Sequence, residues 1–238
     1  MKRLTLLLTA IAISTPLLAN AEIAAVQNQA KPLVNTPTSL APYKAKDYTY
    51  LIGMAGFSDY ALNTHFTLYQ GYVKNVNLLL DILKQYDSDG SEKTPQYQEI
   101  KRRLMWEFDG MRLHELYFNN LGGKNSTFDR NSPLYQQIVS DFGSYEAWKK
   151  DFVATGGLRG IGWVVLYHDP ISGRLINAWV GEHDVGNMAS GNPILIMDVW
   201  EHAYMLDYGI DRMGYIDAFF NNIDWKVVAN RYPKEQKA

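Results

Sequence analysis

The stretch "PILIMDVWEHAYMLDYG", residues 193–209, changes character in its middle. "PILIM" is a short apolar run that reads as a buried strand, whereas "EHAYMLDYG" resumes helical spacing and ends on a glycine. Asp198 and His202 stand four residues apart at the junction, with Trp200 and Glu201 between them. Charged groups are rarely buried without a partner, and a metal ion is the partner that best suits a carboxylate beside an imidazole.

Working outward, "GWVVLY" and "RLINAWVG" are two more runs rich in β-branched and aromatic residues, joined by the turn "HDPISG". With "PILIMDV" they predict a three-stranded antiparallel sheet. "GYIDAFFNNIDWKVVANRY" carries helical spacing toward the C-terminus, and Ser132-Pro133 and Ser144 open two shorter helices upstream, the second ending near Gly156-Gly157. Further upstream the period is helical over long distances. From Ser58 to about Tyr86 one stripe holds Ala61, His65, Leu68, Tyr72, Val76, Leu79 and Leu83, and "DSDGSEK" then breaks the helix. A second helix has Thr94 as N-cap and Pro95 at its first position. It runs through "KRRLMWEFDGMRLHELYFNN" to Gly122-Gly123, with Ile100, Leu104, Met111, His114 and Phe118 on one stripe. Two such helices pair as a hairpin. The fold class is therefore α+β: an N-terminal antiparallel helical hairpin over 46–128, then an α/β metal-binding domain with the three-stranded sheet over 129–238. There is no internal repeat and no Gly-rich phosphate loop.

Residues 1–21 place Lys2 and Arg3 before an apolar stretch and Ala19-Asn20-Ala21 after it, the pattern of a secretory signal peptide; Pro16 and the short apolar length argue against a membrane span. Cleavage there leaves 21 basic against 25 acidic residues, a net charge of −4, which argues against nucleic acid as a partner. Residues 22–45 carry three prolines and no sustained period, and read as a linker or extended arm. The expected location is outside the cytoplasm, in a bacterial periplasm, with no membrane attachment after cleavage. With no cysteine, any metal must be held by nitrogen and oxygen ligands.

The chain has five histidines. Taken singly, His65 and His114 read as core histidines on buried helical stripes. Together with Asp198 and His202 they read differently, because a hairpin can present one imidazole from each helix to its seam while the strand end at 198 closes the site. Three imidazoles and one carboxylate suit iron, manganese or zinc. His168, before Asp169-Pro170, reads as an exposed turn residue. His183, after the second strand, reads either as a loop histidine or as a group bonded to a metal-bound water. Glu201 reads as an acceptor for a histidine N–H, and Tyr72 as a phenol able to relay protons.

At this point the residues resemble a known family. "DVWEHAY" is similar to the signature of iron/manganese superoxide dismutases. "QGYVKNVN", "LHELYF", "FGSYEAWKKDF", "GIGWVVL" and "GYIDAFFNNIDWKVV" extend the likeness from about Tyr50 to Tyr232. The resemblance implies dismutation of superoxide at one iron or manganese ion per subunit, with His65, His114, Asp198 and His202 as ligands and no further cofactor. It implies that Tyr72 is the phenol at the substrate gateway, that Trp163 and Trp200 form an aromatic wall, and that Glu201 reaches the opposite subunit's His202 in a homodimer.

Three features depart from common members. Their first ligand histidine lies one residue further from the gateway tyrosine, whereas His65 and Tyr72 are seven apart, which a regular helix keeps on one face. A histidine and a tyrosine that meet across the dimer in many members are replaced by Leu68 or Tyr69 and by Met205. A glutamine that touches the metal-bound solvent is also absent. Gly110 occupies one of its places and His183 falls near the other, a pattern closer to some iron-using members, so iron is slightly favoured. The alternatives are a non-haem iron oxygenase with two histidines and one carboxylate, and a non-catalytic metal-binding protein on the same fold.

Overall fold

Ser58 and Thr94 start the two long helices by the same device. Each hydroxyl accepts a hydrogen bond from the backbone N–H three residues on, Ala61 at 3.0 Å and Tyr97 at 3.2 Å. Pro95 fills a first-turn position whose N–H has no helical partner. The computed structural model describes residues 43–124 and 126–233, so the expected signal peptide and most of the 22–45 arm lie outside the described residues. The helices are α1 (Asp59–Asp89) and α2 (Pro95–Asn119). α1 continues past Tyr86 through Asp87, Ser88 and Asp89. Gly90 then takes a left-handed φ of 74° and returns its N–H to the Tyr86 carbonyl.

The apolar stripe read from the sequence of α1 is buried except at Leu68, which is partly exposed. A second flank, Leu62, Phe66, Tyr69 and Val73, is buried as well. The chain before α1 covers it. Asn77 holds Tyr43 through both backbone groups, and the Lys46 N–H donates to the Tyr69 hydroxyl at 3.0 Å. Beneath this strap lies the buried carboxylate of Glu115, which accepts from Lys46 Nζ at 2.9 Å, Arg112 at 2.6 Å and the Tyr69 hydroxyl at 3.1 Å. A buried carboxylate is tolerated only with such pairing.

Two short helices, α3 (Pro133–Phe142) and α4 (Tyr145–Gly156), are capped by Ser132 and Ser144 and lead into the sheet. Strands β1 (Gly162–His168), β2 (Leu175–Gly181) and β3 (Asn192–Asp198) are arranged β2-β1-β3, antiparallel at both pairings. The central strand β1 is buried along its whole length, which is why it reads as an unbroken apolar run. Its register against β3 shifts between Leu166 and Tyr167, where Pro193 has no N–H to give the ladder. Helices α5 (Glu201–Tyr208), α6 (Arg212–Asn221) and α7 (Trp225–Arg231) complete the chain. α4 packs on β1 and β2, α2 and α7 pack on β3, and α5 returns to α1.

His168 corrects the sequence reading. It is the last residue of β1, paired with Leu175 and Asn192, and only 6% exposed. The strand outlasts Tyr167 by one residue, and the ring of Tyr232, just beyond α7, stands edge-on to the imidazole at 5.1 Å. Among the described residues no helix is long and apolar enough to cross a membrane.

Arg231 ties the two halves of the fold. Its guanidinium donates to Asn120 Oδ1 at 2.5 Å, to the Ile194 carbonyl at 3.0 Å and to the Leu116 carbonyl at 2.9 Å, while Asn120 Nδ2 donates to the Ile196 carbonyl. The end of α2, strand β3 and the end of α7 are thereby clamped together. Arg231→Ala is expected to destabilise the protein by about 2–3 kcal/mol, since hydrogen bonds to a charged donor are lost and carbonyls are left buried. A urea titration followed by circular dichroism measures it, with the midpoint falling.

Candidate metal centre

Asp198 ends β3, opposite Trp163 of β1, and is fully buried. The backbone N–H of Trp200 donates to its Oδ1 at 2.8 Å, which fixes the carboxylate and leaves Oδ2 facing the hairpin. Around Oδ2 lie three imidazole nitrogens: His65 Nε2 at 3.2 Å from α1, His114 Nε2 at 3.6 Å from α2 and His202 Nε2 at 3.2 Å from α5. The four ligand atoms lie within 4.8 Å of one another. Below them the Tyr215 hydroxyl donates to the Asp198 carbonyl at 2.5 Å, so its oxygen is left to accept from Tyr117 at 3.1 Å.

The donor set fits a metal ion. His114 Nδ1 lies 2.6 Å from the Gly110 carbonyl, which can only accept, so the proton sits on Nδ1 and Nε2 presents a lone pair. The Nε2 atoms of His65 and His114 are buried without a hydrogen-bond partner. Burial pushes the pKa of His65 down and that of His114 well below its usual value, so both stay neutral. Burial alone would raise the carboxyl of Asp198, but the His202 and His65 imidazoles beside it hold it far below the usual carboxylate range. The buried His114 lone pair directed at an anionic oxygen repels it, and a cation among the four donors turns the repulsion into binding.

Behind the four donors sits a shell of aromatic rings. His183 follows β2 and is fully buried. Its Nδ1 lies 3.0 Å from the Trp163 indole nitrogen and its Nε2 lies 2.8 Å from the Tyr72 hydroxyl. An indole N–H only donates, so His183 Nδ1 accepts and the single proton of the neutral ring is on Nε2. The Tyr72 oxygen then accepts from His183, and its own hydrogen is free to be donated elsewhere. Burial lowers His183 to about 4 and raises Tyr72, with Asp198 and Glu107 adding to the latter. Trp200 stacks on His183 at 4.7 Å and on His202 at 5.7 Å. Tyr72 also lies 5.0 Å from the His114 ring.

Glu201 is exposed in the first turn of α5, and it accepts from no histidine of its own chain among the described residues. The sequence reading missed Trp106, whose ring lies 4.5 Å from His183 and 5.7 Å from Tyr72. The available signal was an aromatic residue two turns before His114, outside the apolar stripe of α2. It also missed Asp109 and Asn187, the latter donating to the His183 carbonyl and to Asp109, both at 3.0 Å.

Residues 130–231 match the family described as iron/manganese superoxide dismutases, C-terminal domain. The chain is 35% identical over 182 residues to a superoxide dismutase [Fe] of Cupriavidus metallidurans, covering 75% of this chain and 90% of that protein. It is 37% identical over 168 residues to a superoxide dismutase [Mn] 2 of Haloferax volcanii, covering 71% and 82%. A superoxide dismutase [Fe] of Aquifex aeolicus is 34% identical over 200 residues, covering 81% and 92%. The chain belongs to the iron/manganese superoxide dismutase family.

As a member of that family it uses Gly110 in a particular way. A Cβ there would lie 2.8 Å from the Tyr72 ring and 3.2 Å from His183 Cδ2. The imidazole of His183 and the phenol of Tyr72 thus fill the space into which a side chain at 110 would project, and a mid-helix glycine costing about 1 kcal/mol is the condition for that packing.

Asp109 supplies a test of the ground behind His183. Burial and the negative charge of Asp184 raise its carboxyl from the ordinary 3.8 to about 6. The folded state therefore binds a proton more tightly than the unfolded chain, so this contribution to stability is present below about pH 3.8 and is lost as pH rises through about 6. Asp109→Asn is expected to be more stable than the parent at pH 7.5, with the gap closing toward pH 4, as measured by urea titrations across that range.

Proposed function

We propose that this protein dismutates superoxide to oxygen and hydrogen peroxide at one iron or manganese ion per subunit, held by His65, His114, Asp198 and His202, with iron slightly favoured. The observation that carries the reading is the convergence of four donors, two of them buried and unpartnered, in a chain of this family. A bound redox-active ion supplies the one-electron chemistry by which one superoxide is oxidised and another reduced. The protein supplies geometry and protons. The Tyr72 hydroxyl, its oxygen engaged by His183 Nε2, keeps its hydrogen to give to reduced substrate, and burial keeps the phenol protonated at neutral pH. Trp163 and Trp200 hold His183 in place and keep water from the donors. Neither the oxygenase nor the non-catalytic reading is favoured, since a third histidine faces the carboxylate and the relatives are named as dismutases.

The lean toward iron rests on Gly110 and His183 in place of a glutamine. Relatives named for iron and for manganese are about equally similar, so the choice of metal is drawn from those two residues alone. The exposed Glu201 suits the homodimer in which it would accept from the partner subunit's His202. The leader at 1–21 supports export, with a bacterial periplasm as destination, and hairpin (46–128) and α/β (129–238) domains complete the organisation.

The test pairs elemental analysis with a superoxide assay on protein exported and matured in its host. The wild type is expected to carry iron or manganese and to turn over superoxide. His65→Ala should weaken metal retention and activity on the order of 10-fold or more while the helical circular dichroism persists. Zinc in the site, or full activity in the His65→Ala protein, would overturn the assignment.

A further inference from the structure

Glu182, between β2 and His183, is joined to two of the tryptophans around the site through different groups. Its carboxylate Oε2 accepts from the Trp106 indole N–H at 3.0 Å, and its backbone carbonyl accepts from the Trp200 indole N–H at 3.2 Å. Its own N–H is anchored on the Ile161 carbonyl at 3.1 Å, just before β1. Its φ of 49° is left-handed, one of two such values at non-glycine residues among those described. A charged residue with a Cβ holds that conformation only where its surroundings fix it. Here the fixed conformation sends the side chain to Trp106 and the carbonyl to Trp200.

The two indoles linked by Glu182 both pack on the same imidazole. The Trp106 ring meets His183 at 4.5 Å, edge to face, and the Trp200 ring stacks on it at 4.7 Å. The outer side of Trp106 is closed by the Arg103 guanidinium, 3.9 Å from the ring centre, which is itself held by the buried carboxylate of Glu107 at 2.6 Å. His183 is therefore clasped by two rings whose positions share one anchor, and its Nε2–H is aimed at the Tyr72 hydroxyl as a result.

We propose that Glu182 is a positioning residue. By holding Trp106 with its carboxylate and Trp200 with its carbonyl, it fixes the ring of His183 and so the hydrogen bond from His183 to Tyr72. This rests on the dismutase reading for its effect on turnover, but not for its effect on the indoles. The clasp has two independent parts. Glutamine at 182 retains an acceptor oxygen for Trp106, whereas alanine removes it while leaving the backbone bond to Trp200 in place.

The test uses the metal-loaded protein in a Trp179→Phe background, because Trp106, Trp179 and Trp200 are the partly exposed tryptophans and the other three are buried. Glu182→Ala, Glu182→Gln, Trp106→Phe and the Glu182→Ala/Trp106→Phe double variant are compared with the background for metal content, acrylamide quenching of indole fluorescence, and kcat and KM for superoxide. In Glu182→Ala, quenching is expected to rise and kcat to fall about tenfold at unchanged metal content, with Glu182→Gln restoring both. The double variant should be no slower than the slower single one, since both changes release the same clasp. Unchanged quenching and kcat in Glu182→Ala, failure of Glu182→Gln to restore them, losses that follow loss of metal, or additive losses in the double variant would each overturn the proposal. If the background protein itself fails to turn over superoxide, the dismutase reading falls, and the quenching series still decides whether Glu182 holds the indoles.

Discussion

One fully buried carboxylate sets the terms for the rest of this molecule. Asp198 lies at the end of β3 with Oδ1 engaged by a backbone N–H and Oδ2 surrounded by nitrogens from three helices. Removing an ionised carboxylate from water costs several kcal/mol even after the surroundings relax, so the fold must supply its partners or lose stability. Each supporting element answers to that need. α1 and α2 bring one imidazole each, α5 brings the third, the turn into α5 caps the carboxylate with the Trp200 N–H, and the Tyr215–Tyr117 pair takes up the carbonyl behind it.

The hairpin and the sheet hold these donors at fixed places because their junction is also polar and satisfied. Arg231 and Asn120 bind the carbonyls of Ile194 and Ile196 on the strand that carries Asp198, and Glu115 gathers the strap, α1 and α2 around one charge. Apolar packing could bring the same elements together, but it would constrain their axial positions less closely. A buried hydrogen-bond network gives one register, which a four-donor site requires.

Much of this was legible in the sequence, for identifiable reasons. Helix starts at Ser58, Thr94, Ser132 and Ser144 follow from local hydrogen-bond chemistry, and the change from helical to strand period near Gly162 follows from side-chain alternation. His65 and His114 could be placed on buried faces by the same periodicity. What could not be read was anything depending on distant partners. His168 is buried because Tyr232, far along the chain, covers it, and Glu115 is buried because Lys46 and Arg112 reach it. The role of Trp106 depends on Glu182 and His183, which local pattern does not connect to it.

The seven-residue interval between His65 and Tyr72 has a mechanical consequence. In a regular helix seven residues complete nearly two turns, which puts an imidazole and a phenol on one side of a single rigid rod about 10 Å apart along its axis. Any small tilt or slide of α1 therefore carries both groups in the same direction, and their relative bearing is set by covalent spacing alone. One inserted residue would turn the phenol by about 100° relative to the imidazole unless the extra residue were absorbed in a local bulge.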